Sequence, residues 1–325
     1  MTEKRSLVFA LIVFSIVVIS LILLGYGLKG LNWDLIQNTA PKNLLVILVV
    51  SVLSIGIYTL EIYFLLRSSN EFIAFWKTYL VLTASMSTNY VTPLKVGIPL
   101  RVYLYNKVFN LSMGIGSALI SIETLLGLLI PGFLSIVGIY FIFPDVSLLL
   151  PIVLLVILAI VVIIVFSVDP AQFIKFLGRM FSQSVTEKVG QFLVNLRKGF
   201  LGISVKTLAI VIFFVVLNLM VTSLRLSLII KYLGGDADYL GVFFARVISV
   251  TFGSVSMIPM GLGVRDASVT FLLTNLGLSK EVAFTSALVE RLFSPGLPLI
   301  LGLISSNILG ISTIKKRLDK QEGKE

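Results

Sequence analysis

Residues 92–104 read TPLKVGIPLRVYL, and residues 258–267 read IPMGLGVRDA. Each stretch sets proline beside glycine in an otherwise apolar region and follows them with an arginine, Arg101 or Arg265. Proline removes a backbone donor and clashes with the preceding turn, and glycine is a poor helix former. Each stretch therefore reads as a break in a helix. The breaking residues are Pro93, Gly97 and Pro99 in the first copy and Pro259, Gly261 and Gly263 in the second.

Outward from the breaks, apolar segments occupy about 44–66, 72–92, 115–142, 146–168, 205–230, 239–260 and 281–310, with another at 6–24. Each is near the roughly 20 residues that a helix needs to cross hydrocarbon. Lipid leaves the backbone no partner but itself, so all are expected to be helices. The chain is thus read as an all-α integral membrane protein, a polytopic helical bundle forming one transmembrane domain over 1–325. Its composition agrees: 57% of residues are hydrophobic and 13% charged, against about a quarter charged in soluble domains. The run 6–24 follows Lys4 and Arg5 and lacks a clean small-residue cleavage site, so it reads as a retained helix rather than a signal peptide.

The sequence contains neither cysteine nor histidine. Disulfides, thiolate nucleophiles, the usual zinc sites and Ser-His-Asp machinery are excluded. No nucleotide motif or convincing nucleophile stands out, and no cofactor or metal is expected; the chain reads as a non-enzyme. The net charge is +10, but the basic residues flank apolar runs. That fits anionic lipid headgroups and the positive-inside bias rather than nucleic acid. Over 169–204, Phe173, Leu177, Phe181, Val185, Val189, Phe192, Leu196 and Phe200 recur at helical spacing with Lys175, Arg179, Lys188, Arg197 and Lys198 between them. The pattern describes a basic amphipathic helix on the cytoplasmic membrane surface, or a linker helix packed on the bundle.

A shift of 166 residues lays Val81, Thr83, Ser85, Thr88, Pro93 and Gly97 on Val247, Ser249, Thr251, Ser254, Pro259 and Gly263. In both copies the arginine is followed by a glutamate in the next apolar helix, Glu123 or Glu290, and then by Pro131-Gly132 or Pro295-Gly296. The shared order marks an internal repeat, with copy A at about 44–142 and copy B at about 205–310. If every segment simply crossed, the basic stretch from Lys175 to Lys206 would lie outside, against the positive-inside rule. If instead 72–110 and 239–277 are re-entrant hairpins entering from opposite sides, the basic clusters and both termini become cytoplasmic, and Asp145 and Asp236/Asp238 external. The expectation is two inverted repeats in the cell membrane, each with a broken-helix hairpin, meeting inside the bundle.

Charges inside hydrocarbon are functional candidates by default. Lys95, Arg101, Glu123, Arg265, Asp266, Glu290 and Arg291 cluster at the breaks and the helices after them, and form the candidate substrate-binding set. Arginine holds phosphate through parallel hydrogen bonds, and a broken helix adds free N–H donors. Arg101 and Arg265 would cradle a lipid phosphate between them, with Glu123 and Glu290 competing for them and keeping the empty site neutral. The alternative is that Arg101–Glu123 and Arg265–Glu290 are permanent salt bridges pinning helices. Glu61 and Arg225, on the helices opening each half, read as a buried pair or as snorkelling side chains.

At residues 92–104 and 258–267 and at Glu290-Arg291-Leu292, the sequence resembles the flippase-like transmembrane domain of lysylphosphatidylglycerol synthases, which also occurs as stand-alone proteins and beside archaeal glycosyltransferases. The first motif of that family usually reads Pro-Gly-Arg-Ala-Gly-Glu, so Leu94, Lys95 and Ile98 depart from it, and Asp266 stands where Glu is common. The resemblance implies a lipid translocase for an anionic headgroup, phospholipid or polyprenyl-phosphate glycolipid, with only the translocating part present here. Two other readings are a membrane enzyme processing polyprenyl phosphate and a scaffold for a glycosyltransferase. The implied partners are anionic lipids and a glycosyltransferase or lipid-modifying enzyme; a homo-oligomer is compatible with the sequence.

Overall fold

A computed structural model describes residues 40–69, 73–91, 96–145, 202–256 and 258–322, with isolated positions between 146 and 201. The segments 6–24 and 146–168, nearly all of the amphipathic stretch, and Pro93 and Lys95 lie outside the described residues. Within them the secondary structure is helical: α1 Pro41–Arg67, α2 Phe75–Val91, α3 Gly97–Phe109, α4 Met113–Ile142, α5 Val205–Tyr232, α6 Tyr239–Val255, α7 Val264–Asn275, α8 Lys280–Arg291 and α9 Leu297–Glu322. A 3₁₀ turn, Pro259–Gly261, lies between α6 and α7. A π-helical turn, Leu292–Gly296, joins α8 to α9 into one rod. Pro295 sits in that widened turn, whereas Pro131 is absorbed within α4.

Among the described residues, four helices are long and apolar enough to cross a membrane by length and composition: Pro41–Arg67, Met113–Ile142, Val205–Tyr232 and Lys280–Gly310. At about 1.5 Å per residue, the 27 residues of α1 reach roughly 40 Å, more than the ~30 Å of hydrocarbon. Outward faces carry large apolar side chains, among them Leu45, Leu53, Phe213, Leu292 and Leu303. Such a surface suits lipid and not water.

The element order repeats: long helix, 17-residue helix, break, 12- or 13-residue helix, long helix. Local features repeat with it at a separation of 167 residues. Ser112 caps α4 through the Ile115 amide, and Ser279 caps α8 through the Val282 amide. Two residues before each cap the backbone turns left-handed, at Asn110 (φ 57°) and Gly277 (φ 93°). The separation differs by one residue from the 166 that aligns the broken helices.

The halves interlock reciprocally. The opening helices α1 and α5 pack together, α2 packs against α9, and α6 packs against α4. Both exchanged interfaces use a hydroxyl pair and a glycine. Thr83 donates to Ser305 (2.8 Å) across α2–α9, and Ser135 shares a hydrogen bond of 2.8 Å with Thr251 across α4–α6. A Cβ on Gly302 would lie 2.4 Å from the Thr83 carbonyl oxygen, and one on Gly138 would lie 2.8 Å from the Phe244 ring. Small residues and hydroxyl pairs hold helices together where the hydrophobic effect is absent.

Candidate functional site

Each break is closed by backbone contact. In the first half, α3 starts at Gly97 so close to α2 that a Cβ there would sit 2.1 Å from the Ser85 carbonyl oxygen and 2.5 Å from Asn89 Oδ1. Pro99 falls in the first turn of α3, where its missing amide costs little. In the second half Met260 (φ 56°), Gly261 (φ 61°) and Gly263 (φ 79°) reverse the chain through left-handed backbone. A Cβ on Gly261 would lie 2.9 Å from the Cα of Gly253. Met260 pays a strain that glycine would not, a feature that gathers at functional sites.

The charged residues form two clusters. In the first, Arg101 Nη1 of α3 donates to both oxygens of Glu123 on α4, at 2.8 and 2.9 Å. The Tyr58 hydroxyl of α1 donates to the same carboxylate. Arg101 and Glu123 are 4% and 7% exposed, and Glu61 of α1 is 4% exposed.

The second cluster is richer. Arg225 of α5 meets Glu290 of α8 through two parallel hydrogen bonds, Nε to Oε2 at 2.8 Å and Nη2 to Oε1 at 2.6 Å. Arg246 of α6 reaches the same carboxylate at 3.3 Å and Arg265 of α7 at 3.6 Å. Three guanidinium groups therefore converge on one carboxylate. Among the described residues Arg265 Nη1 has only a 3.5 Å contact to Ser294 Oγ besides, and its side chain is the most exposed of the three, at 17%. Among the described residues the Nε of Arg246 is buried with no hydrogen-bond partner, as is the Nε of Arg101 in the first cluster.

Arg291 is spent on the turn. It donates to Asp266 at 2.7 and 2.9 Å and to the carbonyls of Met260 (2.7 Å) and Gly261 (3.3 Å). Asp266 also accepts the Gly263 amide at 3.1 Å, capping α7. This pair fixes the shape of the break and leaves Arg265 and Arg246 as the cations of this second cluster with spare donors. Four arginines face two carboxylates here, a formal surplus of two positive charges.

The other half touches this cluster. The α2 helix packs on the Pro259–Gly261 turn, and Tyr90 of α2 lies in the field of Arg225, Arg246, Arg265 and Arg291. Arg101 and Arg265 share no ion pair or hydrogen bond among the described residues. Arg101 pairs with Glu123, whereas Arg265 reaches Glu290, a carboxylate that it shares with Arg225 and Arg246. Glu290 takes its tightest partner from Arg225, which the sequence offered only as a buried pair or a snorkelling group. Arg246 and Tyr58 were missed. Arg246 carried a signal, a lone charge inside an apolar helix, whereas Tyr58 carried none.

A multi-pass helical membrane protein that keeps buried charge at a broken helix is the class these features define. The chain belongs to the lysylphosphatidylglycerol synthase TM region family, which matches residues 7–302. It is 30% identical over 94 residues to a UPF0104 membrane protein of Pyrococcus horikoshii, covering 29% of this chain and 26% of that protein. It is 32% identical over 111 residues to a UPF0104 membrane protein of Methanocaldococcus jannaschii, covering 34% of this chain and 30% of that one. The matched stretches thus span less than a third of the length of either relative.

Proposed function

We propose that the chain is a lipid translocase in which the surplus cations at the second break hold an anionic headgroup in transit between leaflets. The observation that carries this reading is the charge imbalance around Glu290. Arg246 has a buried Nε without a partner among the described residues, and Arg265, partly exposed, reaches Glu290 only at 3.6 Å; a phosphate at the break would satisfy both. Arg101–Glu123 serves as the matching polar patch of the first half, and Arg291–Asp266 as the clasp of the turn.

On this reading the repeats are inverted and each break is the tip of a re-entrant hairpin. The reciprocal packing of α2 on α9 and of α6 on α4 fits an approximate twofold relation between halves. The arms are also short: α7, with 12 residues, extends about 18 Å, well under the ~30 Å of hydrocarbon. The termini and the basic segment 169–204 then face the cytoplasm, and Asp145 and Asp236 face outward. Reagent reaching a cysteine in Ser184→Cys only from outside would overturn that topology. The chain moves a headgroup rather than transforming it, and works beside a lipid-modifying enzyme or glycosyltransferase that makes or uses the lipid.

The test is translocation of fluorescent phosphatidylglycerol by the full chain in liposomes, read by dithionite quenching of the outer leaflet. The protein is expected to expose inner-leaflet lipid faster than empty vesicles do. Arg246→Gln with Arg265→Gln should slow that exchange about tenfold or more, since a hydrogen bond to a charged group contributes about 1.5–3 kcal/mol. No acceleration over empty vesicles, or an unchanged rate in the double variant, would refute the reading.

A further inference from the structure

The first cluster holds a charge that its ion pair does not balance. Glu61 follows Tyr58 by three residues on α1, so the two side chains leave the same face of the helix. It is 4% exposed. One turn away, Tyr58 donates to Glu123 of α4, which holds Arg101 of α3, so the titratable and charged groups coupled to Glu61 are Glu123, Arg101, Tyr58 and Tyr105. Glu123 already takes Arg101 on both oxygens and the Tyr58 hydroxyl. Among the described residues, no lysine or arginine forms an ion pair with Glu61. The α5 helix, packed along α1, carries Arg225, but that guanidinium is taken by Glu290. The α2 helix, also packed on α1, sends it no ion-pairing group.

Two buried carboxylates thus share the field of one guanidinium, which has already chosen the other. An ionised carboxylate left unpaired in such surroundings neutralises by taking a proton or acquires a counter-ion. A counter-ion would need several oxygen ligands, as hard cations do, and three of the roughly four acceptor sites of Glu123 are already taken. The proton needs only Glu61 itself.

We propose that Glu61 is a proton-binding site, carrying a proton at neutral pH in the conformation in which Arg101 is held by Glu123. Release breaks the O–H bond of the carboxylic acid and hands the proton to water; no other bond changes. The two halves then differ in kind, with a surplus of cations beside Glu290 and an exchangeable proton beside Glu123. If Arg101 leaves Glu123 during the lipid's passage, it becomes available to Glu61, and the proton can depart. Translocation would thereby be coupled to a proton gradient. That last step rests on the translocase reading; the proton site does not.

The test is infrared difference spectroscopy of the full chain in phosphatidylcholine vesicles, recorded without any transport. Wild-type protein at neutral pH is expected to show the C=O stretch of a buried carboxylic acid that shifts in D₂O. It should vanish in Glu61→Gln and persist in Glu281→Gln, which alters an exposed carboxylate. The Glu61→Gln protein, isosteric with the protonated acid, should unfold at the wild-type temperature, so that loss of the band reports loss of the acid and not of the fold. Absence of the band in wild type, or its survival in Glu61→Gln, would overturn the proposal. So would a sodium-dependent rise in the unfolding temperature at fixed pH that Glu61→Gln abolishes. A fluorescent lipid that fails to move would count against the translocase reading and leave this band in place.

Discussion

Adding a single methyl group at Gly302 should loosen the whole chain, because that glycine lets the last helix of one half lie directly on the second helix of the other. A Cβ built there meets the Thr83 carbonyl oxygen at 2.4 Å, and the Cβ and Oγ of Ser87 at 2.5 and 2.6 Å. Ordinary contacts begin near 3.4 Å, so α9 must withdraw by about 1 Å. The nearest obstacle is backbone, which no rotamer change removes. A gap of that size forfeits a quarter to a half of each dispersion contact along the seam. Overpacking of this kind costs about 1–3 kcal/mol, and losing the Thr83–Ser305 hydrogen bond adds about 0.5–1.5 kcal/mol. Together the loss is about 1.5–4.5 kcal/mol. Gly127→Ala is the matched control: it lies on an exposed face of α4 with nothing within 4 Å, and alanine should gain a fraction of a kcal/mol in helix propensity there. Both proteins can be melted in detergent. Gly302→Ala should unfold at least about 3 °C below wild type on the scale of about 2–4 °C per kcal/mol for larger domains, and Gly127→Ala at or above it. Equal melting of the two variants would refute the exchanged packing of α2 on α9.

Two further substitutions probe the clusters. Arg291→Lys keeps the charge but cannot serve Asp266 and two carbonyls at once, so amides over 258–266 should lose protection in hydrogen exchange by an order of magnitude or more; unchanged protection would remove Arg291 from its role as the clasp. Tyr58→Phe removes one hydrogen bond to Glu123 while Arg101 stays in place, and should lower stability by about 1.5–3 kcal/mol in a denaturant titration; no change would show that the hydroxyl contributes nothing there.

The helices were legible because long Leu, Ile and Val runs allow nothing else in lipid: the segment read at 205–230 is α5, Val205–Tyr232, and that read at 115–142 is α4, Met113–Ile142. The breaks were legible because Pro and Gly act on their own backbone, wherever the rest of the chain lies. The helix after the first break ends at Phe109 and the helix after the second at Asn275. Pairings were less legible. Glu290 and Arg225 are 65 residues apart, and which of four arginines wins a carboxylate depends on helix rotation, to which spacing along the sequence is blind. Arg101–Glu123 could be found because adjacent helices joined by a three-residue link must fold back on each other. Arg265–Glu290 was found by the same logic, but its 3.6 Å separation shows that an arginine from α5 had already filled the carboxylate. The role of Arg291 was hidden because its acceptors include backbone carbonyls of the break, and those exist only once Met260 and Gly261 have turned left-handed.

The central claim is that the surplus cations around Glu290 hold a lipid phosphate. Native mass spectrometry of the full chain, purified once as wild type and once with Arg246→Gln and Arg265→Gln, then exposed to equal phosphatidylglycerol and phosphatidylcholine, measures this directly. The wild type should retain phosphatidylglycerol selectively, and the double variant should lose that selectivity while keeping its fold. Equal retention of the two lipids by the wild type, or undiminished selectivity in the double variant, would contradict the account.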